Sequence, residues 1–184
     1  MIVVLSVIAG FVLIFLIWFI VLYNRLASVR QHLKESWSDI DVELKRRYDL
    51  VPNLVETVKG YAAHEQDVFD SVTKARTAAM ANHGSPASQG HDEVMLQSGI
   101  KRLFAVAEQY PDLKASENFL HLQSELANTE DRIAASRRFF NANTREMNQL
   151  CTTIPTNIVA GMFGFHQGDF FELDDESERV VPRV

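Results

Sequence analysis

Apolar positions divide this chain into two regimes. Over residues 2–23 they are almost continuous, with only Ser6 and Gly10 interrupting Ile, Val, Leu, Phe, Trp, Ala and Tyr. Twenty-two residues at about 1.5 Å each make a helix of roughly 33 Å, enough to cross a hydrocarbon core of about 30 Å. Beyond Asn24 the apolar residues become periodic. Leu26, Val29, Leu33, Trp37, Ile40, Leu44, Tyr48 and Val51 recur three or four residues apart, which predicts one stripe of a helix over 25–49. Asp41 with Lys45 and Glu43 with Arg47, acid before base at four-residue spacing, fall on its exposed face. Pro52 predicts a break or kink near Val51 and opens a second helix over 52–81. Leu54, Val58, Tyr61, Phe69 and Val72 supply the buried face of that helix, and Gly60 within it marks a close approach or a kink.

Residues 82–90, rich in Asn, Gly, Ser and Pro, predict a surface loop. A third helix follows over 92–110, carried by Leu96, Ile100, Leu103, Ala107 and Tyr110. The fourth, over 116–154, holds the longest stripe: Phe119, Leu122, Leu126, Thr129, Ile133, Ser136, Phe140, Asn143, Met147, Leu150 and Ile154. That spacing is a coiled-coil-like seam, in which Thr129, Ser136 and Asn143 are polar positions that set register. No stretch alternates with period two. The expected fold is all-α: an N-terminal transmembrane helix (1–24), an antiparallel long-helix bundle of four-helix type (25–160) and an acidic C-terminal tail (161–184).

Charge sharpens this division, because every charged side chain lies at or after Arg25. The 184 residues suit one domain, and a net charge of −6 argues against a sequence-independent nucleic-acid partner. The apolar leader lacks the basic n-region, short core and small-residue cleavage site of a signal peptide, so it is read as an uncleaved anchor. Trp18 and Tyr23 near its end suit the headgroup level. Arg25, Arg30 and Lys34 follow the anchor, which places the helical domain in the cytoplasm with the N-terminus outside. The expected location is the inner membrane, crossed once. The opposite sidedness stays open, since a large domain can be translocated whatever its charge.

Candidate chemistry is sparse. The single cysteine, Cys151, excludes an internal disulfide and a multi-cysteine zinc site, and its place on the apolar seam reads as a small core thiol. None of the six histidines completes the Glu-x-x-His pattern of a di-iron bundle. Glu117, His121 and Glu125 share a helix face, but one turned away from the apolar stripe, and His64-Glu65 reads as an exposed polar pair. Lys45-Arg46-Arg47 reads as a solvated or salt-bridged surface. Phosphate loops and nucleophile elbows are absent from the sequence. No catalytic residue, metal or cofactor is therefore expected.

The stretch from Ile154 to Phe165, apolar but broken by Gly161 and Gly164, has three readings: a strap over the bundle end, an interfacial membrane contact or a subunit interface. Helix lengths bear on the choice. The first helix beyond Asn24 is about 37 Å long and the fourth about 58 Å, so the end of the fourth reaches the bilayer surface. On that ground Phe163 and Phe165 are expected at the headgroup level or against a neighbouring subunit, and not in the bundle's own core. Together with Trp18 and Tyr23 they form the candidate contact site.

Residues 36–59 read SWSDIDVELKRRYDLVPNLVETVK; further along come Tyr110-Pro111-Asp112-Leu113-Lys114 with Asn118-Phe119, and Arg137-Arg138-Phe139-Phe140-Asn141. With Tyr23-Asn24-Arg25-Leu26, Gly164-Phe165 and Phe170-Phe171-Glu172, these motifs resemble the LemA family in order and across essentially the whole chain. Ser36 stands where that family more often has Ala. The resemblance implies a single-pass bacterial membrane protein with an all-α, bundle-like domain and no assigned catalytic residues. A relative associated with magnetosome membranes extends it to membrane shaping, by analogy. The expected function is thus a non-enzymatic, self-associating scaffold that organises the bilayer. The rival is a tethered module that recruits a soluble partner such as a protease.

Overall fold

The protein is described by a computed structural model over residues 1–173. Among these residues there are six helices and no strand: α1 (Ile2–Lys59), α2 (Gln66–Ala81), α3 (Pro86–Ala107), α4 (Pro111–Lys114), α5 (Glu117–Thr152) and α6 (Thr156–Phe163). The all-α expectation holds, and α5 closely matches the longest predicted helix. Boundaries elsewhere differ, each for a physical reason.

Of the break or kink expected near Val51, the break does not occur: α1 continues through Pro52 to Lys59. Proline removes the N–H that would bond the carbonyl four residues earlier, here that of Tyr48. Arg76 Nε donates to the Tyr48 carbonyl at 2.7 Å and satisfies it from α2. The chain breaks at Gly60 instead, and Tyr61, expected in the core, is 47% exposed in the turn that follows. The loop expected over 82–90 shrinks to 82–85. Ser85 accepts from the Ser88 N–H as N-cap and Pro86 occupies the first turn, so α3 begins early and buries Gln89 and Gly90.

The chain forms two compact units. The first comprises residues 1–37 and 139–168, and the second, among the described residues, comprises 38–138 and 169–173. Both α1 and α5 contribute to each. In the first unit Arg25 faces Glu146 and Ser36 faces Asn143, so the two helices run antiparallel. Its core joins Leu26 and Val29 to Met147, Leu150, Val159, Ala160 and Phe165. In the second unit α1, α2, α3 and α5 pack together around Leu44, Val51, Leu54, Val72, Leu96, Leu103 and Ile133. Glu43 and Arg46 of α1 face Arg132 and Glu125 of α5, again antiparallel.

Residues 161–173 are not a free tail. Gly161, Met162 and Phe163 finish α6, while Phe165 and Phe171 are buried. Apolar contact at Phe165 and Phe171 holds this stretch against the helices even where the acidic run has begun, with Asp169 and Glu172. The rest of that run, beyond Leu173, lies outside the described residues.

Candidate functional site

The N-terminal part of α1 contains an uncharged stretch of mean hydropathy 3.0, and its apolar side chains from Ile2 to Trp18 are exposed. By length and composition it suffices to cross a membrane. Aromatic residues accumulate toward its end. Trp18 lies 5.7 Å from Phe15, centroid to centroid, and Phe163 of α6 packs on Phe19 at 5.9 Å and on Tyr23 at 4.8 Å. Phe165 meets Tyr23 at 5.9 Å, and the Arg30 guanidinium sits 4.6 Å above the Phe165 ring as a cation–π pair. Three of the four expected contact residues, Tyr23, Phe163 and Phe165, thus form one cluster. Trp18 lies about a turn away, against Phe15.

Within the cluster the two phenylalanines separate. Phe163 is 47% exposed, whereas Phe165 is only 5% exposed and belongs to the core. The expectation that Phe165 would avoid the chain's own core is therefore corrected. Gly164 adopts φ 68°, the left-handed conformation that ends a helix at low cost only for glycine. This reversal lets the Phe165 N–H bond back to the Ala160 carbonyl at 3.0 Å and tucks its ring beneath α6. Asn148 of α5 then clasps the chain, donating to the Gly168 carbonyl at 3.0 Å and accepting from its N–H at 2.8 Å. A glycine after a helix followed by an apolar residue was the legible signal. Beside the cluster, a cleft of about 250 Å³ opens among Leu22, Arg25, Glu146, Leu150 and Pro155.

The second unit holds a buried polar cluster that the sequence reading missed. Arg47, expected on the exposed face opposite Glu43, is 1% exposed. It donates to Glu93, which is completely buried, and at 2.8 Å to Glu130, while Glu43 pairs with Arg132. Tyr48 and Gln89 also donate to Glu93, and Gln97 holds Glu130 at 3.0 Å. Burial, together with the Glu93 carboxylate, pushes the Tyr48 phenol well above its ordinary range and keeps it a donor. The missed signal was periodic: Gln89 and Glu93 extend the Leu96, Ile100, Leu103 stripe backwards at the same spacing. Arg47 and Glu93 are sealed from solvent, Glu130 at the edge stays partly exposed, and the cluster ties α1, α3 and α5 together.

The remaining candidates stay dispersed. Glu125 pairs with Arg46 at 2.7 Å, and His121 is exposed. Cys151 is partly buried against the first unit's core, which pushes its thiol upward in pKa. Among the described residues no group of three or more His, Cys, Asp or Glu is placed to hold a metal ion.

Comparison with known proteins adds ancestry to this geometry. A family model described as LemA family matches residues 36–184. The magnetosome protein MamQ 2 of Paramagnetospirillum magneticum is 28% identical over 175 residues, covering 82% of this chain and 64% of that relative. Magnetosome protein MamQ of Magnetospirillum gryphiswaldense is 27% identical, covering 81% and 64% respectively. Protein LemA of Metamycoplasma hominis is 27% identical, covering 85% and 71%. The match to the MamQ relatives spans just under two thirds of their length.

Proposed function

Because this chain belongs to the LemA family, we propose that it is a non-enzymatic, membrane-anchored helical protein that self-associates and organises the bilayer around it. The observation that carries this reading is the exposed apolar stretch of α1, which continues without a break into packed helices. A surface so large and apolar is costly in water and stable in lipid. Arg25, Arg30 and Lys34 follow it closely, which supports a single pass of the inner membrane with the helical units in the cytoplasm. Support for self-association is narrower. The α5 stripe is largely buried by the chain's own helices, whereas Phe139 at 56% and Val42 at 63% exposure point outward. The names of the MamQ relatives place those proteins with magnetosomes, and for this chain that supports membrane organisation by kinship.

Native mass spectrometry of the detergent-extracted full chain tests the reading. We expect oligomers that persist on dilution, with in-cell crosslinking recovering mainly the chain itself. Monomers alone would remove self-association. A stoichiometric second protein in the crosslinks would favour recruitment of a soluble partner instead.

A further inference from the structure

The two faces of α6 have different surroundings. Thr156, Val159 and Ala160 are buried. On the other side Ile158 and Met162, one turn apart, are 59% and 66% exposed, and Ile154 just before the helix is 77% exposed. A helix facing water would place polar side chains there, yet Thr156–Phe163 contains no charged residue. Its position along α1 is equally informative. Phe163 packs on Phe19 and Tyr23, the last aromatic residues of the uncharged stretch, and the first charge, Arg25, comes two residues after Tyr23.

The geometry points to α6 as an interfacial helix, whose outward edge of Ile154, Ile158 and Met162 lies among lipid headgroups and upper acyl chains where α1 leaves the hydrocarbon. This deepens the membrane-anchored reading and rests on it. Lipid is the occupant because the edge joins, through Phe163, the same apolar surface that α1 presents over its exposed stretch. Three side chains on and just before one short helix also fall far short of the roughly 800 Å² per partner that a stable protein interface buries. Apolar residues at the headgroup level, held by a rigid contact to the span, fix the depth and tilt of the anchor.

Spin labelling of the full chain in vesicles of phosphatidylethanolamine and phosphatidylglycerol tests this directly. In a Cys151→Ser background, labels are attached after Ile158→Cys or Met162→Cys. Leu13→Cys in α1 serves as the lipid reference and Met95→Cys in α3 as the aqueous one. All four parent side chains are exposed, so the substitutions leave the core intact. We expect the labels at 158 and 162 to collide several-fold more with oxygen than with a water-soluble nickel chelate, as at 13, and the reverse at 95. Water-like labels at 158 and 162 beside a lipid-like label at 13 would overturn the inference while the anchored reading stands. A water-like label at 13 would remove both. Labels shielded from both reagents and coupled between copies would assign the edge to a second copy and overturn the lipid contact.

Discussion

Arg46 and Arg47 are neighbours in sequence with opposite surroundings. The helical turn of about 100° per residue carries Arg46 to a partly exposed pair with Glu125 and drives Arg47 into the second unit's interior. Taking Arg47 and Glu93 out of water is costly, and the donors converging on Glu93, with Glu130 on the other side of Arg47, offset that cost. Arg47→Met should therefore destabilise the protein by about 3–5 kcal/mol, because Glu93 would be left as an uncompensated buried carboxylate. Arg47→Met/Glu93→Leu should recover much of the loss. Denaturant midpoints of the detergent-solubilised full chain measure both, and a single-variant loss no larger than that of Arg46→Met would contradict the assignment. Ser36 shows the same sensitivity to context. Its hydroxyl donates to the His32 carbonyl at 2.7 Å and accepts from Asn143 at 3.3 Å, a buried polar link between α1 and α5.

At the scale of elements, chain ends and turns decide what the helices bury. Gly164 turns the chain so that Phe165 packs under α6, and Gly90 lets the segment carrying Phe171 cross α3 closely. A Cβ at position 90 would fall on the Glu172 carbonyl oxygen. These contacts make the described end of the chain part of the packing. They also separate the two phenylalanines energetically. Phe165→Ala, which empties a core position, should cost about 3–5 kcal/mol, and Phe163→Ala well under half of that. Melting of each variant in detergent checks the contrast, and equal losses would place both rings in the core.

For the whole molecule, the proposed topology makes a prediction about which side of the membrane holds the helical units. The basic residues just beyond the anchor favour the cytoplasm. The short turn before α3 offers a probe, since His83 is exposed and lies outside every helix. In a Cys151→Ser background, His83→Cys should resist a membrane-impermeant thiol reagent in intact cells and react after the inner membrane is opened. Rapid labelling in intact cells would reverse the topology.

The local sequence determined the helices themselves. Spacings of three and four residues marked the stripes of α1, α3 and α5, because a helix returns each such residue to one face whatever packs against it. The uncharged first stretch stood out by length and composition alone, for the same local reason. Tertiary structure decided which breaks take effect and which polar residues are buried. Pro52 is tolerated because Arg76, distant in sequence, occupies the carbonyl that proline leaves unbonded. Arg47 looked like an exposed partner of Glu43 because pairing rules see only the residues within a turn, while Glu93 and Glu130 arrive from other helices. Phe165 followed the same logic: the sequence displayed its glycine, and only the fold supplied the core beneath it.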